Sequence, residues 1–187
     1  MNFKEMIEST LNLSLKNAVA LIIMTLVFVG ASLLSLGILV PVMLAGYTKS
    51  VLDMIRTGQE PSPKDLFSQM HLFLPLFLFS LVLVIAVTIG LFLLVLPGII
   101  LIIAATFFLI YMVPVMVDQD LGLMDAAKES IRLVRQTSFF DHLIVVIIYS
   151  VIQSIGGSTL LGTLITIPIS TIFLVIAYDS YYTTATS

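Results

Sequence analysis

The chain has 187 residues, of which 59% are hydrophobic and only 10% charged, with a mean hydropathy of +1.17. Soluble domains carry roughly 25% charged residues, so this composition excludes a water-soluble globular class and fits a surface solvated by lipid. The lack of cysteine removes disulfides, thiolate chemistry and cysteine–metal sites, and a net charge of −3 argues against a nucleic-acid surface or a polybasic lipid surface.

The charges are confined to residues 4–16, 49–65 and 118–141, with Asp179 standing alone near the end. Between them lie charge-free stretches at 17–48, 66–117 and 142–178, each about long enough for two crossings at roughly 17–25 residues apiece. These stretches do not alternate polar and apolar positions as barrel strands do, so the class is all-α and polytopic, in one domain over 1–187. Paired crossings return every charged segment to one side. All eight basic residues fall there, and the positive-inside rule makes that side cytoplasmic, with both termini inside the cytoplasmic membrane. Glu5 and Glu8 among the first lysines read against a signal peptide.

Three helical hairpins are predicted, each preceded by an amphipathic cytoplasmic segment. In the first unit Phe3, Met6, Ile7 and Leu11 recur at helical spacing opposite Lys4, Glu5, Glu8 and Asn12, the pattern of an interfacial helix. Crossing one follows at about 18–34 and crossing two at about 37–56, stopped by Gly58 in a left-handed conformation with Pro61 beyond it. The second unit opens on Ser62-Pro63-Lys64-Asp65, a cap, a first-turn proline and an acid at the third position. A short helix through Met70 leads to crossing three at about 73–95. Pro97-Gly98 marks the turn, and crossing four runs over about 99–117. The third unit begins with a helix over about 123–136. Its apolar stripe is Met124, Ala127, Ile131 and Val134, its wet face pairs Asp125 with Lys128 and Glu129 with Arg132, and Arg135 lies near its end. Asp118 and Asp120 suit its N-terminal dipole. Crossing five covers about 143–155, Gly156-Gly157-Ser158 turns, and crossing six covers about 160–178.

Leu96-Pro97-Gly98-Ile99-Ile100-Leu101, Tyr111-Met112-Val113-Pro114 and Asp125-Ala126-Ala127-Lys128-Glu129-Ser130-Ile131-Arg132-Leu133 form a recurring set, joined by Gly46-Tyr47, Lys64-Asp65-Leu66-Phe67 and Ala177-Tyr178. Together they resemble a broad family of bacterial and archaeal six-helix integral membrane proteins. That group is related to the membrane domain fused to some glycerophosphodiester phosphodiesterases. The resemblance covers nearly the whole chain, implies the fold, and brings no catalytic residues with it.

Candidate sites are few. Lys49 and Asp53, four apart on crossing two, fit a snorkelling lysine with a local partner, the favoured reading, or a proton or anion relay. Ser150, Gln153, Ser154 and Gly157 on crossing five, and Thr159, Thr163, Thr166 and Ser170 on crossing six, could line a polar crevice or serve close packing; packing is favoured. Pro41, Pro114 and Pro168 lie in outgoing helices and can kink them. Met24, Met43, Met112 and Met116 read as adaptable packing rather than Cu(I) ligands, and His71 and His142 as interfacial side chains facing water. No zinc spacing, phosphate loop or nucleophile–base pair is present, and no cofactor or metal is expected. The expected role is non-enzymatic: a scaffold or accessory subunit touching membrane lipids and a membrane partner or a second copy, with no nucleic acid. The alternative is a small transporter or lipid-handling protein using the crevice between crossings five and six.

Overall fold

The computed structural model describes residues 3–93, 95–156 and 159–186, and every element in them is helical. Nine α-helices follow in order: α1 Phe3–Lys16, α2 Ala18–Leu34, α3 Val40–Thr57, α4 Phe73–Leu93, α5 Val95–Leu109, α6 Met112–Gln119, α7 Leu123–Gln136, α8 Phe139–Gly156 and α9 Leu160–Thr186. Two 3₁₀ turns, Pro63–Phe67 and Met70–Leu72, join α3 to α4 where a single short helix was expected. Among the described residues four helical segments are long and apolar enough to cross a membrane: Pro63–Phe92, Val95–Gln119, Phe139–Gly156 and Gly162–Thr183. A fifth arises if α1 and α2, bent by 82° at Asn17, are taken together. The chain is thus all-helical, with the make-up of a membrane protein.

Helix α3 is not among those segments, and the reason lies in its position. It packs against α2, the first 3₁₀ turn, α4, α6 and α9, and buries residues from Val42 to Met54. Its small and polar residues face protein rather than lipid. Gly46 sits against the carbonyls of Asp65 and Leu66, which leave no room for a Cβ, and Ser50 donates to Asp65 Oδ2 at 2.7 Å. The same carboxylate accepts the Ser62 N–H at 3.0 Å, closing the expected cap. Gly58 takes the left-handed conformation (φ 74°) that ends α3, as its position predicts.

Several boundaries depart from expectation. Helix α4 ends at Leu93 and α5 begins at Val95, so Pro97-Gly98 lies inside α5 rather than between the two helices. Pro97 instead sits in the first turn of α5, where no helical partner awaits its missing N–H. Gly98 packs on Gly90 of α4, so a Cβ on Gly90 would lie 3.0 Å from the Gly98 Cα. Pro41 likewise starts α3 rather than kinking it. Pro114 supplies no N–H to the Ile110 carbonyl, and the predicted fourth crossing breaks at Ile110–Tyr111 into α5 and α6. Helix α9 continues well past Tyr178, with Tyr178 and Tyr181 each packing on Tyr111, Tyr182 stacking on Tyr178, and α1 lying along it. Gly157 and Ser158 of the predicted third turn fall outside the described residues.

The core is gathered at the charged end of the helices. Helix α2 buries Leu21, Met24, Thr25 and Phe28 and none of its residues after Phe28; α8 buries His142 and Val145 near its start and Gly156 at its end, and α9 buries residues from Thr166 to Tyr181. At the charge-free end Leu36 is 90% exposed and Phe92 92%. Met24, Met43, Met112 and Met116 all belong to the core, as packing predicts.

Candidate functional site

The polar centre of the fold joins three helix ends. Arg56, in the last turn of α3, binds Asp118 of α6 through both terminal nitrogens, the Nη2–Oδ2 contact being 3.0 Å. Its Nε and Nη2 reach Asp179 Oδ1 of α9 at 3.0 and 2.7 Å. Tyr178 donates its hydroxyl to Asp118 Oδ2 at 2.7 Å, and Gln119 Nε2 approaches the Tyr178 oxygen at 3.4 Å. Asp118 ends up only 10% exposed in the last turn of α6, where the helix dipole disfavours a negative charge, so the guanidinium offsets two unfavourable terms at once. This corrects the assignment of Asp118 to the start of α7. Asp120 does not cap α7 either; it takes the left-handed position (φ 51°) after α6 and lies 3.4 Å from His71 Nε2 on the exposed surface.

The break between α5 and α6 creates a second polar centre. Helix ends leave carbonyls unbonded, and here side chains from other helices take them up. Ser130 of α7 donates to the Phe108 carbonyl at 2.8 Å, and His142 Nε2 of α8 donates to the Phe107 carbonyl at 2.7 Å. His142 is completely buried, edge-on to Phe107 and 3.5 Å from the Tyr111 hydroxyl through Nδ1. The expectation that it faces water fails because its ring caps a broken helix. Ser130 also explains why the buried face of α7 is Ala126, Ser130, Leu133 and Val134, with Met124 exposed and Ile131 only partly covered.

Lys49 and Asp53 form the expected pair at 2.8 Å, each about one-third exposed, and the structure shows no further relay partner for them among the described residues. Helices α8 and α9 pack on each other, but the α8 stripe does not face α9 as a row: Ser150 and Ser154 are exposed, and Gly157 lies outside the described residues. Thr166 fills the space above Gly156, whose Cβ would overlap it. The hydroxyls turn back on their own helix: Thr166 to the Gly162 carbonyl at 3.1 Å, Ser170 to Ile167 at 3.1 Å, Ser154 to Ser150 at 2.7 Å. Thr163 shares its proton between the Thr159 and Gly156 carbonyls, Gln153 donates to Tyr149, and Ser150 is exposed.

A cavity of about 270 Å³ sits beside the α5–α6 break, bounded by α3, α4, α8 and α9. Its walls are apolar apart from Thr48, Thr106, Tyr149 and Thr171. Thr171 is 5% exposed, yet neither it nor Thr106 has a hydrogen-bond partner among the described residues. The Tyr149 oxygen accepts from Gln153 and keeps its own proton free among those residues. Pro114 adds an Ile110 carbonyl without its helical donor.

On α7, Asp125 pairs with Lys128 at 3.2 Å and Glu129 with Arg132 at 2.6 Å, both as expected. Glu129 holds the Arg132 guanidinium above its ordinary pKa through that hydrogen bond. Arg135 has no ion pair or hydrogen bond among the described residues. No group of three or more metal-ligating side chains forms among them.

Comparison of the chain with family models, with curated proteins and with solved structures finds no match.

Proposed function

We propose that the protein is a six-span protein of the cytoplasmic membrane with both termini cytoplasmic, acting without catalysis as a scaffold or accessory subunit of a membrane assembly. The resemblance to the six-helix family related to phosphodiesterase membrane domains belongs to the same proposal. The sixth span is α3, whose polar residues need not be apolar because neighbouring helices cover them. The observation that carries the role is the uneven distribution of the core. The Arg56 clasp and the buried side chains fasten the three hairpins at the charged end, while their far halves keep large apolar faces uncovered by the chain itself. Such a body has a fixed base and arms available to another protein's membrane helices, or to a second copy. The test is photo-crosslinking from Leu36 and Phe92 in native membranes, followed by purification in mild detergent. A stoichiometric protein adduct through these positions supports the reading; adducts to lipid alone and a bare monomer contradict it.

A second reading, a small transporter or lipid-handling protein, is favoured by the cavity at the α5–α6 break rather than by the α8–α9 interface. Hydroxyls in membrane helices ordinarily bond to their own backbone, and Thr106 and Thr171 do not. An uncharged amphiphile with an oxygen acceptor matches this lining. Under this reading the isosteric pair Thr106→Val and Thr171→Val reduces flux or alters membrane lipid composition while the protein stays folded. Unchanged behaviour in both assays removes it.

A further inference from the structure

A groove of about 410 Å³ runs between the α4–α5 hairpin and α7, walled by Leu83, Leu101, Ala104, Phe108 and Ile131, and it ends at Arg135. A second recess of about 340 Å³ continues from Ile131 and Arg135 across the face of α7 to Lys128 and Arg132. Along α5 the wall from Leu101 to Phe108 extends about 10 Å at 1.5 Å per residue, a length that takes the upper part of one acyl chain. The alanines at 104 and 105 hold it open. Of the three cations around its mouth, Lys128 and Arg132 are committed to Asp125 and Glu129, and Arg135 is unpaired among the described residues.

We propose that this groove is a binding site for one anionic glycerophospholipid, its phosphate on the Arg135 guanidinium and one chain along α5. An apolar channel that ends at an unpaired guanidinium matches an amphiphile with an anionic head, and the planar fork suits a phosphate bidentately. The protein's net charge of −3 gives no general attraction for acidic lipid, so selectivity arises at this one side chain. Placement in the inner leaflet rests on the cytoplasmic orientation proposed above; the contact itself does not.

The full chain, delipidated in detergent, is titrated with phosphatidylglycerol and with phosphatidylcholine of matched chains, and retained lipid is counted by native mass spectrometry. The detergent assay has no leaflets, so an error in topology leaves its result unchanged. Phosphatidylglycerol binds preferentially, and Arg135→Gln, at an exposed position, lowers that preference by about tenfold, the worth of a charge-assisted hydrogen bond. Arg132→Gln changes it far less, Ala104→Phe removes both lipids from the site, and millimolar inorganic phosphate does not displace the lipid. Equal retention of both lipids by the natural protein overturns the proposal. So does an Arg135→Gln variant with intact preference, an Ala104→Phe variant with undiminished binding, or displacement by phosphate alone.

Discussion

Replacing Asp118 by asparagine isolates the clasp that joins α3, α6 and α9. Asp118 is 10% exposed and accepts hydrogen bonds from two Arg56 nitrogens and from Tyr178. The amide keeps an oxygen for Tyr178 but loses the charge, and hydrogen bonds to charged groups are each worth about 1.5–3 kcal/mol. Arg56 is 35% exposed and retains Asp179, so water and the second carboxylate recover part of the loss. The net cost is about 2–3 kcal/mol, short of the roughly 3–5 kcal/mol for breaking a fully buried pair. Asp179→Asn, at a carboxylate that is 36% exposed, costs about 1 kcal/mol or less. The order of the two is the first check. The sign in a double mutant is the sharper one: after Arg56→Met the two carboxylates lose the cation between them, and adding Asp118→Asn then stabilises the protein. Unfolding followed by circular dichroism in mixed micelles under a denaturing-detergent titration measures all four variants. Equal costs for the two aspartates, or an additive double mutant, would refute the reasoning.

Other substitutions test packing and capping. Gly46→Ala destabilises by about 1–3 kcal/mol through overpacking, although alanine in a helix interior is otherwise favoured, because the obstructing atoms are the backbone carbonyls of Asp65 and Leu66. Gly156→Ala destabilises as well, and Thr166→Ala in the same chain recovers only part of the loss, since it removes the Oγ1 and Cγ2 clashes but leaves Cβ 2.7 Å away; thermal melts of the single and double variants show this. Ser130→Ala leaves the Phe108 carbonyl without its donor and costs about 1–3 kcal/mol in the same micelle titration. Tyr181→Phe is neutral or stabilising, because the Tyr181 hydroxyl is buried without a hydrogen bond among the described residues.

Local features were legible in the sequence, and long-range ones were not. Ser62-Pro63-Lys64-Asp65, Gly58 and the Lys49–Asp53 spacing each report a structure made within a few residues, and each forms as read. The Arg56 clasp spans sequence separations of 62 and 123 residues, beyond any periodicity. A faint signal existed: Asp179 is the lone charge in its region, and paired crossings bring it to the level of Arg56 and Asp118. His142 was misjudged and Ser130 went unread for one reason. Their partners are carbonyls freed at the α5–α6 break, and a sequence does not display carbonyls. Pro97-Gly98 was taken as a turn because proline and glycine punctuate loops, but the first turn of a helix tolerates both, and Gly98 is small because α4 presses on it. The polar stripe of α8 was read as a surface facing α9, yet Ser150 and Ser154 are exposed; where the two helices meet, Gly156 packs closely against Thr166.

Single-cysteine accessibility tests the six-span account most directly, since the chain has no native cysteine to interfere. Membrane-impermeant thiol reagents applied from outside intact cells are predicted to label Ile38→Cys, Leu96→Cys and Thr159→Cys, and to reach Thr57→Cys and Gln136→Cys only after the membrane is opened. Thr57→Cys labelled from outside while Gln136→Cys stays protected would place the two ends of the clasped body on opposite sides and contradict the account.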